Sequence, residues 1–204
     1  MRSSPPDLSR TPARAGPRGS DRHEIRIIGG QWRRTRLQVP DKPGLRPTPD
    51  RVRETLFNWL GQDLTGWRCI DAFAGTGVLA LEAASRGAVQ VLAFEQDAQL
   101  VALLQEHVQR LKADAVSVQR IDAMAAMARQ PGQAFDLVFL DPPFDTPLFA
   151  AALQSAARLV PVGGWVYLEA PKLWAQEELA ALQLKLHKHL KAGAVHAHLL
   201  ERTA

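Results

Sequence analysis

The feature that most constrains this chain is the alternation, from Cys69 to Glu169, of short apolar runs with helical segments. CIDAF (69–73), VLAFE (91–95), VSVQR (116–120), FDLVFL (135–140) and WVYLE (165–169) each have the length and the β-branched or aromatic content of a strand. Helical patterns fill 76–86, 97–112, a short stretch near 123–129, and 147–159. Such a chain packs as right-handed βαβ crossovers: a mainly parallel sheet with helices on both faces, hence the α/β class. Two more strand-like runs, 182–190 and 195–200, are joined through Ala192 and Gly193 and predict an antiparallel hairpin closing one sheet edge. No internal repeat is visible.

The segment before this alternation differs in character. Residues 1–22 are Pro, Ser, Gly and Arg with almost nothing apolar, too little to offset the entropy of ordering, so a disordered tail is expected there. IRIIGGQWRRTRLQV (25–39) has strand composition interrupted by Gly29 and Gly30, which predicts an irregular or bulged hairpin. A helix follows, with Thr48 as its N-cap, Pro49 at the tolerated first position and Gly61 as its stop. Val52, Leu56, Trp59 and Leu60 make one apolar stripe on it. The expected organisation is a tail (1–22), a hairpin-and-helix extension (23–62) and a sheet domain (63–204).

Residues 1–60 hold 13 Lys/Arg against 6 Asp/Glu, net +7, and the remainder is net −3. Clustered cations suit a polyanion, since neutralising phosphates releases counterions; a solvated basic face is the alternative. With 204 residues, 46% of them hydrophobic, one sizeable core can form without cross-links. The single cysteine, Cys69, lies within an apolar run and reads as a small core residue of a protein in a reducing compartment. No apolar stretch approaches 18 residues, so a soluble, cytoplasmic protein without a membrane partner is expected.

The chemistry concentrates at strand ends. Asp71-Ala-Phe73-Ala-Gly75-Thr-Gly77 follows a strand and opens a helix, a turn in which glycines let backbone approach a ligand. A tight βα turn with no ligand has the same signature. Glu95 ends the second strand, 20 residues past Gly75, where an acid can take both hydroxyls of a ribose. Asp122 follows the third strand. Three carboxylates around one mouth repel a pyrophosphate and favour a cationic, phosphate-free nucleoside, of which S-adenosylmethionine is one. The fourth strand ends in Asp141-Pro142-Pro143-Phe144. The prolines remove two N–H donors, so the Asp141 carboxylate and the Pro142 carbonyl can accept both hydrogens of an exocyclic amine while Phe144 stacks on the base.

Together these motifs resemble the class I amino-methyltransferases that act on nucleobases. The flanking blocks IRIIGGQWRRTRL, PGLRPTPDRVRETLFNWL and LEAASRGA narrow the resemblance to the RsmD family of bacterial 16S ribosomal RNA guanine-N2 methyltransferases, over residues 24–200. The resemblance implies a class I methyltransferase (Rossmann-like) sheet with a small N-terminal RNA-contacting extension. It implies S-adenosylmethionine as cofactor, no metal, and, as substrate, 16S rRNA in an assembled small ribosomal subunit, met by a monomer. Carried onto this chain, Asp71, Phe73, Gly75 and Gly77 match the cofactor loop, Glu95 the ribose acid, Asp122 with Ala123 the adenine side, and Asp141, Pro142, Pro143 and Phe144 the catalytic loop. Arg46, Thr48 and Arg51 match the N-terminal block, Arg46 and Thr48 near the cofactor's methionine end and Arg51 toward RNA. Arg26, Trp32, Arg33, Arg34 and Arg36 are the remaining candidate RNA contacts; Trp32 can stack on a base or cover the hairpin's underside. The chain departs from the pattern at Thr76, where Ser is also familiar, and at Asp145-Thr146, where a basic or aromatic residue is expected.

Two rival activities share parts of this pattern. DNA adenine-N6 enzymes also carry DPPF but need a target-recognition domain that so short a chain lacks. A non-catalytic assembly factor would have lost the cofactor acids, and these are intact. His187 with His189, and His196 with His198, have a spacing that puts each pair on one face of a strand. Without an accompanying Cys or carboxylate cluster they read as a polar face rather than a metal site.

Overall fold

The computed structural model describes residues 23–40, 42, 45 and 48–204; the expected tail and Arg46 lie outside the described residues. Seven strands form one sheet: β3 (Arg68–Asp71), β4 (Gln90–Glu95), β5 (Val116–Arg120), β6 (Leu137–Leu140), β7 (Trp165–Ala170), β8 (Leu184–Ala192) and β9 (Val195–Arg202). Their order is β5-β4-β3-β6-β7-β9-β8. The first five run parallel, and β9 pairs antiparallel with both β7 and β8. The chain winds outward from β3 to β5, then returns to lay β6 on the other side of β3. That reversal opens a crevice at the carboxyl ends of β3 and β6, where open α/β sheets bind ligands.

Alternation along the strands divides the core into two layers. Cys69, Leu137, Phe139 and Tyr167 face a cluster filled from α1 (Asp50–Trp59), α2 (Val78–Ser85) and α3 (Ala98–Leu111). Ile70, Val138, Leu140 and Leu168 face the other, filled from α4 (Ala123–Ala128), α5 (Phe149–Leu159) and α6 (Gln176–Ala180). The short helix α6 carries little periodicity and has no counterpart in the sequence reading. Phe57, Phe139 and Tyr167 pack in series, the first pair tilted and the second edge-on, with centroids 6.3 and 6.2 Å apart.

The N-terminal hairpin pairs β1 (His23–Arg26) with β2 (Arg36–Val39). Gly29 and Gly30 sit in the connection between the strands and form no bulge within them. Gly30 has φ +73°, and a Cβ there would lie 1.8 Å from the Ser85 carbonyl oxygen. The turn is seated on the end of α2: the Gln31 N–H donates to the Ser85 carbonyl at 2.8 Å, and the Trp32 N–H donates to Ser85 Oγ at 3.0 Å. Thr48 is not the N-cap of α1. Pro49 holds that position in an extended conformation with no side-chain cap, and Thr48 is buried. Its carbonyl accepts a hydrogen bond from Arg53 Nε at 3.1 Å, an interaction that fixes the helix start from within.

Three buried charges join this extension to the sheet. Arg53 and Glu82 are fully buried and Arg86 nearly so. Arg53 Nη1 donates to Glu82 Oε1 at 2.6 Å and to the Arg26 carbonyl at 2.9 Å, while Nη2 reaches Asp50 at 2.5 Å. Glu82 Oε1 also accepts the Ile28 N–H at 2.7 Å, and Oε2 pairs with Arg86, whose guanidinium lies 4.0 Å from the centroid of the Phe57 ring. Each charge removed from water thus has several partners, which a buried ion network requires. Arg53, Glu82 and Arg86 belong to the sequence blocks DRVRETLF and LEAASRGA, so part of what makes those blocks distinctive is this junction.

Candidate active site

A cleft of about 870 Å³ lies over the carboxyl ends of the parallel strands. Asp71, Phe73, Gly75, Glu95, Asp122 and Ala123 line it, together with Thr48 and the Asp141–Phe144 loop. Strand geometry brings these together. Asp71 ends β3, Glu95 ends β4, Asp122 caps α4 just past β5, and Asp141 follows β6.

The acids also hold the loops. Gly75 has φ +52°, a left-handed conformation that glycine takes without strain, and its N–H donates to Glu95 Oε2 at 2.8 Å. Glu95 Oε1 accepts the Asp97 N–H at 2.8 Å. A carboxylate oxygen has two lone pairs, so both oxygens keep capacity for ribose hydroxyls. Asp122 accepts the Ala125 N–H at 2.8 Å and Gln96 Nε2 at 2.7 Å. Asp71 is buried, accepts the Ala80 N–H at 3.1 Å, and has its pKa pushed up to about 7 by burial, with the Glu95 and Glu169 charges adding to the rise. In the catalytic loop both the N–H and the hydroxyl of Thr146 donate to the Pro143 carbonyl, at 3.2 and 2.7 Å, closing a turn. That engages the Pro143 carbonyl, and Phe144 packs against Phe149 with centroids 6.3 Å apart.

Several expected residues lie elsewhere. Gly77 does not line the cleft: it precedes α2 at φ +73°, and a Cβ there would meet the Leu104 side chain at 2.2 Å, so helix packing explains this glycine. Arg33 and Arg34 are exposed in the turn seated on Ser85, at the far end of α2 from the cleft and about 12 Å along its axis. Arg26 pairs with Asp50 and Arg36 with Glu24, each at 2.9 Å. Trp32 is half-buried against the α1–α3 core, which favours its covering role. Arg51 is exposed on α1. Of the two histidine pairs, His196 and His198 share a face as the spacing suggests, with centroids 6.4 Å apart, whereas a bulge between Leu186 and Lys188 puts His187 and His189 on opposite faces. His187 lies against Trp165 on one side of the sheet, His189 stacks on His196 at the other, and His198 is fully buried. Among the described residues no cluster is arranged to hold a metal ion, and no helix is long and apolar enough to cross a membrane.

Three charged lining residues, Glu169, Lys42 and Asp97, are not singled out in the sequence reading. Glu169, at the end of β7, is buried and accepts the Tyr167 hydroxyl at 2.9 Å; burial and this carboxylate push the Tyr167 pKa up. It is the fifth acid at a parallel strand end, and the signal that marked Asp71 and Glu95 applies to it unchanged. Lys42 ion-pairs with Asp97, whose pKa this contact lowers, and it brings the one described cation of the lining.

Residues 25–201 match the family described as "Conserved hypothetical protein 95". Ribosomal RNA small subunit methyltransferase D of Escherichia coli is 41% identical over 194 residues, 92% of this chain and 95% of that protein. Its Haemophilus influenzae counterpart is 43% identical over 136 residues, 64% of this chain and 69% of that protein. The solved structure of the Escherichia coli protein yhhF superposes with a TM-score of 0.75 at 36% identity, covering 89% of this chain and 99% of that one. Magnesium protoporphyrin IX methyltransferase of Synechocystis, solved with S-adenosylmethionine bound, shares the fold at a TM-score of 0.61 and 20% identity, covering 75% of this chain and 79% of that one. The sheet is thus a class I methyltransferase sheet, and the chain belongs to the family of ribosomal RNA small subunit methyltransferase D.

Proposed function

We propose that this protein methylates the exocyclic N2 of a guanine in 16S ribosomal RNA, using S-adenosylmethionine and meeting the RNA in a small-subunit particle. The observation that carries the reading is the gathering of five strand-end carboxylates and the Pro142–Phe144 loop into one cleft, in a chain of this family. The donor set fits the cofactor. A rim whose described charges are carboxylates apart from Lys42 favours a cation without phosphates, and the volume lies within the range of small-molecule sites. When bound, the cofactor supplies a methyl already activated by its sulfonium.

The chain's own residues supply position and field. Glu95 takes the ribose hydroxyls and Asp122 the adenine amine. Asp141 and the Pro142 carbonyl accept the two hydrogens of the guanine amine, aiming its nitrogen for in-line attack, and Phe144 stacks on the base plane. As the nitrogen gains the methyl and becomes positive, the Asp141 carboxylate stabilises it, and that preorganised charge is the main electrostatic contribution to rate. One of the two hydrogens then leaves as a proton to Asp141 or to water.

The test is a methyl-transfer assay on small subunits from a strain lacking the protein, with duplex DNA in parallel, followed by mass spectrometry of the RNA. The expected result is one new N2-methylguanosine and no DNA product. Transfer to DNA, or to no nucleic acid while the protein binds subunits, overturns the reading in favour of an adenine methyltransferase or an assembly factor.

A further inference from the structure

The cleft that must receive an RNA base is itself acidic. Asp71, Glu95, Asp97, Asp122, Asp141, Asp145 and Glu169 line it against Lys42 alone among the described residues. A polyanion gains no net attraction from such a rim, so its affinity must come from cations outside the cleft. The N-terminal arginines Arg33 and Arg34 sit at the far end of α2 and lie beyond that rim.

The sheet order indicates where those cations are needed. The cofactor acids Asp71, Glu95 and Asp122 occupy the β3-β4-β5 half, and the base-binding loop follows β6. RNA therefore approaches over the other half, β6-β7-β9-β8. Its outermost strand, β8, reads LKLHKHLKA, with exposed Lys185, Lys188 and Lys191, exposed His187 and His189, and no acid. These lysines span about 20 Å of edge at strand rise. The end bearing Lys191 reaches the cleft: Lys191 pairs in register with His196, His196 pairs with Ala170 next to Glu169, and Val195 lines the cleft itself. Edge lysines also discourage strand-to-strand association. Here Lys185 and Lys188 leave one face, Lys185 opposite Glu201, and Lys191 leaves the other; it is the Lys191 end's approach to the active-site mouth that edge protection does not require.

We infer that the β8 edge, through Lys185, Lys188 and Lys191, is a docking surface for the ribosomal RNA backbone that carries the target guanine to the Asp141–Phe144 loop. The inference rests on the proposed RNA substrate. Its test compares the full chain with a Lys185→Gln, Lys188→Gln, Lys191→Gln variant, measuring binding to methyl-deficient small subunits across salt concentrations, S-adenosylmethionine affinity and oligomeric state. The variant should bind subunits about tenfold more weakly near physiological salt, with a log–log salt slope shallower by about 2, as expected when the lysines no longer neutralise RNA phosphates. Its cofactor affinity and oligomeric state should match the parent, and the corresponding triple Lys→Arg variant should keep the parent's slope. An unchanged slope in the glutamine variant, with a salt-sensitive parent, overturns the inference. Self-association with unchanged RNA binding overturns it too and assigns the lysines to edge protection. A parent that neither binds nor methylates ribosomal RNA overturns the functional reading as well, and the parent arm alone reveals it.

Discussion

Asp71 shows how one residue serves both fold and site. Its buried carboxyl holds a proton up to about pH 7, whereas the ordinary carboxyl value is 3.8. Between these values the native state binds a proton that the unfolded chain has released, so stability without cofactor should fall as pH rises from about 4 to 7. Denaturant titrations at several pH values should show this fall in the parent and lose it in Asp71→Asn. Because a cationic cofactor favours the ionised form, its affinity should rise with pH up to about 7 and then level off, again only in the parent. Asp141→Ala should lower the single-turnover rate on subunits by about 10²-fold or more while changing cofactor affinity much less, within the range for preorganised electrostatic groups. Glu95→Ala should instead weaken cofactor binding by about 1.5 to 3 kcal/mol in calorimetry. Most of these acids are legible in the sequence because a strand end is recognisable from its apolar run. Glu169 satisfies the same rule at the end of the apolar run WVYLE, and that rule applied to every parallel strand finds it too.

At the scale of elements, the sequence shows periodicity well and docking poorly. The stripe Val52, Leu56 and Leu60 identifies the buried face of α1, yet the same helix buries Arg53, which lies one residue beyond Val52 and reads as polar surface. Glu82 is likewise a lone acid in the otherwise apolar α2, and only the hairpin and α1 arriving from elsewhere in the chain show why it is tolerated. Glu82→Ala leaves Arg53 and Arg86 buried without their shared carboxylate, and should cost on the order of 3 to 5 kcal/mol in equilibrium unfolding. The Gly29-Gly30 pair reads in the sequence as a strand irregularity because a turn that packs on a distant helix end and a bulge within a strand use the same residues. Gly30→Ala should unseat the turn, seen as faster amide exchange at Gln31 and Trp32, whose N–H groups bond to Ser85.

Across the whole molecule, charge separates by position. The cleft is acidic, the hairpin turn is basic at the opposite end of α2, and the β8 edge is basic beside the cleft. Splitting the sequence at residue 60 reveals only the first basic region. The second stays hidden because its three lysines are diluted by the acids of the same half and come together only as an edge. Arg33→Ala, Arg34→Ala and Arg36→Ala combined should reduce the salt slope of subunit binding by about one for each phosphate that these arginines neutralise, leaving cofactor affinity unchanged. The sheet order has a further consequence, for the sequence of events during synthesis. Strand β8 leaves the ribosome before β9, yet β9 is the strand through which it joins the sheet. Until residues 195–202 have emerged, β7 must wait with its Val166 and Leu168 edge unpaired, so the newborn chain passes through an interval in which a strand destined for the interior is open to wrong partners.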